Sequence, residues 1–162
     1  MNCLVQNKKI KNATPEEYEG INFKSKLEVM VYKTLLQAGF NPKYEPYTYT
    51  IWEGFKPTVP FYTKIKCFNK LNLTKLRDIT YTPDIYLEYE GIKVIIEVKG
   101  AYNDVFPYKF KMFRKYIESL EDSKDYLIFE IFTKKQLLGA IEIIKQYAVD
   151  RKNEKSCNFS SD

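Results

Sequence analysis

The chain has 162 residues, 44% apolar and 29% charged, with a formal net charge of +5 and no histidine. That make-up fits a soluble globular protein long enough for one sizeable core, and the lack of histidine excludes Ser-His-Asp triads and His-ligated zinc sites. No stretch approaches ~20 continuous apolar residues, so no membrane span is expected.

The three cysteines, Cys3, Cys67 and Cys157, are far apart and form no CxxC pair. They read as isolated buried or tail thiols, not as a zinc site or disulfide framework. The start of the chain lacks the apolar core of a signal peptide, which predicts a cytoplasmic protein. The moderate positive charge suits a polyanionic partner without requiring one. The abundance of Tyr and Phe beside Lys, Asn and Ile reads as coding bias before it reads as base stacking.

In chain order, residues 1–12 form a polar, basic arm. Thr14, Pro15 and Glu17 predict a helix start, with Thr14 capping and Glu17 completing a capping box. A longer helix is expected over residues 24–38, stopped by Gly39, with Leu27, Met30, Val31 and Leu35 as its buried stripe and Glu28 at the stripe's edge. Residues 44–52 read as a strand with an edge character set by Pro46. Residues 54–60 read as a loop, 61–68 as a strand, and 69–74 as a polar turn, a candidate tip for an inserted hairpin.

Pro83 biases Thr82 toward extended backbone. Residues 85–89 then predict a strand, Glu90-Gly91 a tight turn, and residues 92–98 a strongly apolar second strand. Residues 100–107 read as a loop and 108–120 as a basic amphipathic helix. Residues 126–132 read as a buried strand, and a last helix runs from the Thr133 cap to about residue 148. Leu137, Leu138, Ile141, Ile144 and Tyr147 are expected to face inward. The order predicts an α/β (α+β) fold in which a mixed central sheet is flanked by helices on both faces. A single domain is expected over residues 1–150, with its core at 23–148 and a disordered tail at 151–162.

The hairpin carries the chemistry. Asp84 and Glu97 fall at the same end of its two strands, and Glu97 and Lys99, two apart, share a face. Two carboxylates and an ammonium at one strand end can hold a divalent cation and position a water beside it. Without histidine, any hydrolysis must rest on carboxylates, lysines, tyrosines and bound metal. Each residue also has an ordinary reading: Asp84 as a turn residue after proline, Lys99 as a solvated strand end, Glu28 as a solvated residue beside an apolar stripe.

Ser25-Lys26-Leu27-Glu28, Tyr81-Thr82-Pro83-Asp84 and Glu97-Val98-Lys99-Gly100 together resemble the PD-(D/E)XK nuclease superfamily, and small phage-encoded, junction-resolvase-like members in particular. The resemblance spans residues 23–147 and implies a restriction-endonuclease-like αβββαβ core; residues 52–75 depart from that core. It implies a metal-dependent DNA endonuclease using Mg²⁺, with Mn²⁺ able to substitute. Asp84, Glu97 and the Val98 carbonyl would be ligands, Lys99 would orient water and phosphate, and Glu28 would reach the metal directly or through water.

Lys109, Lys111, Arg114 and Lys115 on the basic helix would grip phosphates, and Tyr102 would stack on a base or pack. A solvated basic face is the alternative for the four cations. With no helix-turn-helix or zinc finger, branched DNA is the substrate the analogy favours, resolved by a homodimer as in Holliday-junction resolvases. The competing expectation is a catalytically inactive module of the same fold that binds DNA or a protein. A further alternative is an inhibitor or assembly factor acting through an aromatic surface.

Overall fold

A computed structural model describes residues 14–100 and 105–158. The first described element is a small hairpin, β1 (Glu16–Tyr18) and β2 (Ile21–Phe23), where the sequence predicted a helix start. The reason is the turn: Glu19 and Gly20 both adopt positive φ, 51° and 77°, which reverses the chain in two residues. Phe23 then packs edge-on against Tyr32, with ring centroids 5.1 Å apart.

Helix α1 (Lys26–Gln37) comes next, as expected, capped by Ser25 and ended before Gly39 at φ 88°. The strand expected over 44–52 is two pieces. β3 (Lys43–Tyr44) joins the main sheet, whereas β4 (Tyr49–Trp52) leaves it to pair with β7 (Ile79–Tyr81). Glu45 at φ 44° turns the chain between them, and Pro46 has no N–H to offer a ladder.

Between β4 and β7 lies a second hairpin, β5 (Tyr62–Ile65) and β6 (Phe68–Leu71). Its reversal falls at Lys66 (φ 56°) and Cys67, earlier than the polar turn expected at 69–74, and Asn69 lies within a strand. Cys67 is exposed at the tip, neither buried nor in a tail.

β8 (Ile85–Tyr89) and β9 (Ile92–Val98) form the expected antiparallel hairpin around Glu90 and Gly91, both at positive φ. α2 (Phe106–Glu118) starts two residues before the expected 108, because Pro107 suits the first helical turn. β10 (Tyr126–Ile131) runs parallel to β9.

α3 (Lys134–Asn158) is longer than expected and corrects the reading of residues 151–158 as part of a disordered tail, whose remainder, 159–162, lies outside the described residues. Its extension is tied down by an Arg151–Asp125 ion pair and by Lys152 at 2.8 Å from Glu90. Leu138 is also corrected. It is 48% exposed, because the buried stripe runs through Leu137, Ala140, Ile141, Ile144 and Ala148, and Leu138 lies about 100° off it.

The main sheet has the order β10-β9-β8-β3 and is mixed, so the molecule is α+β. Around it the chain order is α1, β3, β8, β9, α2, β10. One face of the sheet (Ile85, Leu87, Val94, Ile96, Ile131) packs on Val31 and Leu35 of α1 and Leu137 and Ile144 of α3. The other face (Tyr86, Ile95) packs on Phe106, Phe110, Phe113 and Ile117 of α2, together with Tyr81. Among the described residues, no helix is long and apolar enough to cross a membrane.

Candidate active site

The β8–β9 register pairs Ile85 with Ile96, and one further step places Asp84 beside Glu97. Side chains alternate across a sheet, and Ile85 and Ile96 face α1 and α3. Asp84, Glu97 and Lys99 therefore lie on the α2 face, at the strand ends. They open into a cleft that Lys24, Glu28 and Glu45 line from one side, and Thr80, Tyr81, Phe106 and Lys109 from the other.

Asp84 is pinned at both ends. Its Oδ2 accepts the Val98 N–H at 2.7 Å, and its carbonyl accepts the Glu45 N–H at 2.9 Å. Lys99 Nζ sits 2.5 Å from Glu97 Oε1 and 4.4 Å from the centre of the Phe106 ring, so the ammonium is held toward the cleft.

Burial sets the electrostatics. Asp84, Glu97 and Glu28 are only 7%, 3% and 6% exposed. Removing carboxylates from water is costly unless they are paired. Burial pushes the Asp84 carboxyl up from 3.8 to about 7, and the Glu97 charge adds to this, while the Val98 N–H and Lys99 pull it back. Burial, then Glu97, also drives the Tyr81 hydroxyl well above its usual range.

Among the described residues, Glu97 Oε2 and the Tyr81 hydroxyl are buried with no partner inside hydrogen-bond distance, though they lie near enough for Glu97 to raise that hydroxyl. A buried orphan acceptor beside a carboxyl of raised pKa marks a place short of positive charge. This donor set fits a hard divalent cation. No three His, Cys, Asp or Glu side chains converge among the described residues. Magnesium tolerates that, because it binds through one or two carboxylates and keeps several waters.

Glu28 is not the solvated residue its sequence position allowed. Its Oε1 accepts from Ser25 Oγ at 2.9 Å, and its Oε2 accepts from the Lys24 N–H at 3.0 Å and the Tyr44 hydroxyl at 2.7 Å. The Glu28 N–H in turn donates to Ser25 Oγ. This is a reciprocal cap at the start of α1, and the Ser25-x-x-Glu28 pattern is its sequence signature. Glu28 thus joins α1 to β3 on the wall of the same cleft, near enough to Asp84 for its charge to add to the rise of that carboxyl. Glu28→Ala is expected to cost about 2 kcal/mol in a urea titration, from the lost cap and the stranded Tyr44 hydroxyl. Adding Tyr44→Phe should recover about 1 kcal/mol of that; full additivity of the two changes would refute the link.

The four cations expected on one phosphate-gripping face divide. Lys109 reaches the cleft, where its Nζ donates to the Thr80 carbonyl at 3.3 Å. Lys111 and Lys115 share a groove with Ile51 of β4. Arg114 lies on the opposite flank, beside Glu118 and Glu130. Val98 lines the cleft, and Tyr102 lies outside the described residues.

Three residues entered the cleft without notice, and a fourth lies on the neighbouring strand outside it. Lys24 and Glu45 form an ion pair at its rim, and Glu45 takes its place through a positive φ that nothing local announces. Tyr81 stood in the quoted Tyr81-Thr82-Pro83-Asp84 run, but its orientation depends on pairing with β4. Glu130 lies opposite Glu97 in the parallel β9–β10 register, on the same face of the sheet.

Compared with protein-family models, with curated proteins and with solved structures, the chain gives no match in any of the three.

Proposed function

We propose that this chain is a metal-dependent DNA endonuclease built on a restriction-endonuclease-like core. The observation that carries the reading is the buried Asp84–Glu97 pair with Lys99 alongside and Glu97 Oε2 unsatisfied. The order α1, β3, β8, β9, α2, β10 supports it, being the αβββαβ order that the sequence resemblance implied.

Mg²⁺, or Mn²⁺ in its place, would supply acidity to a water and charge compensation at phosphorus. Asp84 and Glu97 would hold the cation, and the Val98 carbonyl would offer a third protein oxygen. Lys99 is fixed by Glu97 and Phe106, so its ammonium is already oriented to bind a phosphate oxygen and steady the attacking water. Lys109, at the opposite wall, adds a second cation for the phosphate. Hydrolysis adds the water oxygen to phosphorus and breaks one P–O ester bond, leaving a phosphate monoester and a hydroxyl. No covalent link to the protein forms. Branched DNA is the substrate this reading favours, with a homodimer supplying one site per strand.

The test is a panel of labelled branched, single-stranded and duplex DNAs with Mg²⁺, Mn²⁺ or chelator. Metal-dependent nicking, strongest on branched substrates, is expected. Lys99→Ala should lower its rate by about 10²–10³-fold in protein that keeps the parent's circular dichroism, and should lower the melting temperature, because buried Glu97 loses its ion-pair partner. Absence of cleavage with either metal, alongside metal-independent binding, would replace this reading with that of an inactive module.

A further inference from the structure

Residues 55–77 form an arm that the proposed chemistry does not use. Lys56, Lys64, Lys66, Lys70, Lys75 and Arg77 lie in it, and no Asp or Glu does. Those cations outnumber the net charge of the whole chain, +5. The arm also exposes large apolar side chains: Phe68 is 77% exposed, Tyr62 61% and Phe61 59%. Within β5 and β6 every residue except Thr63 is exposed, so neither face of the hairpin is covered. A two-stranded hairpin left bare on both faces is marginal in water, and such a surface marks a binding site.

The arm is firmly rooted. The Asn72 N–H donates to the Phe61 carbonyl and the Leu76 N–H to the Phe55 carbonyl, both at 2.8 Å. The Gly54 N–H donates to Asp78 Oδ1, also at 2.8 Å. Gly54 is required there, because a Cβ would come within 2.3 Å of the Leu76 carbonyl oxygen. The neck leads through the β4–β7 pair to Thr80 and Tyr81 on the cleft wall.

We propose that this arm binds a single-stranded stretch of DNA and leads it toward the Asp84–Glu97 cleft. The choice of DNA rests on the endonuclease reading; the binding surface does not. Each strand offers a ring and an ammonium two residues apart on one face: Tyr62 with Lys64 on β5, Phe68 with Lys70 on β6. Rings stack on unpaired bases while neighbouring cations take the phosphates, which is the chemistry of single-strand grips. A membrane-surface element would put its apolar residues on one face and its cations on the other. Here both faces carry both. A two-fold contact with a second copy would set this acid-free surface against itself, cation on cation.

The experiment is fluorescence anisotropy in chelator, with labelled single-stranded and duplex DNA and single-stranded RNA. The variants are Lys64→Ala/Lys66→Ala/Lys70→Ala and Phe68→Ala, whose changes are all exposed. The triple variant should bind single-stranded DNA at least about ten-fold more weakly at 0.1 M salt, with the salt slope reduced by about 2. Phe68→Ala should lose about ten-fold on single-stranded DNA and little on duplex. The proposal is overturned if both variants bind DNA like the parent protein. It is equally overturned if their loss appears only with RNA, with anionic lipid vesicles, or in self-association by sedimentation. A protein that nicks DNA yet ignores the arm variants sinks the arm alone. One that never nicks but loses DNA with them sinks the endonuclease reading alone.

Discussion

Asp84→Asn should abolish cleavage, by at least about 10³-fold, and at the same time make the metal-free protein more stable at pH 8. The two effects have one cause. The folded Asp84 carboxyl is raised from 3.8 to about 7, chiefly by burial and then by the Glu97 charge. Below pH ~4 it is protonated both folded and unfolded, and its contribution to stability is fully present. Between pH ~4 and ~7 the unfolded chain releases the proton while the folded chain keeps it, so stability falls as pH rises, by up to about 1.4 kcal/mol per unit. Above pH ~7 that contribution is gone.

Asparagine removes the buried charge and keeps a carbonyl oxygen for the Val98 N–H. Relative to the parent, the variant's advantage should therefore grow by up to about 4 kcal/mol between pH 4 and pH 8, and the parent's slope between those values should be lost. Added Mg²⁺ should raise the melting temperature of the parent and leave the variant unmoved. Thermal unfolding from pH 4 to 8, with and without Mg²⁺, reads all of this. A variant less stable than the parent at pH 8, or one still stabilised by Mg²⁺, would refute the assignment.

Phe113→Ala should be the most damaging substitution to the fold on the cleft side, costing about 3–5 kcal/mol. Phe113 is fully buried, stacks on Tyr81 with centroids 4.5 Å apart, and meets Tyr49 at 5.3 Å. Tyr49 and Tyr81 are register partners in the β4–β7 pair, so one ring clamps the base of the arm onto α2. Its loss should lower the melting temperature by about 10 °C.

It should also free the ribbon before the rest of the molecule unfolds. Trp52, the single tryptophan, lies in β4 and reports that step. In the variant, its fluorescence transition in urea should precede the loss of helical circular dichroism, whereas in the parent the two coincide. Leu138→Ala, at an exposed position of α3, is the control and should change stability by less than about 0.5 kcal/mol. Coincident transitions in Phe113→Ala would show that the ribbon does not depend on this clamp.

Local signals read well where a glycine ends a helix or closes a short turn. Gly39 marked the end of α1, and Glu90-Gly91 marked the β8–β9 reversal; both are met at positive φ. Signals failed where a polar reading outweighed backbone chemistry. Residues 150–158 hold no glycine or proline to break a helix, and α3 runs through them. Glu19 and Lys66 reverse the chain at positive φ without being glycine or asparagine, so the hairpin in 14–23 went unannounced and the inserted hairpin at 62–71 turns earlier than expected.

The meeting of Asp84, Glu97 and Lys99 at one strand end was written in the chain itself. A two-residue turn sets the register of its hairpin, and the two-residue period of a strand carries that register to the far end. Their isolation from water was not. It depends on Glu28 capping α1 and binding Tyr44, on Tyr81 clamped between β4 and α2, and on Glu45 turned back by its φ. The Glu28–Tyr44 bond, the Tyr81–Phe113 stack and the Glu45–Asp84 backbone bond each join segments far apart in sequence. Only packing decides them, and with them the charge that Asp84 carries in its cleft.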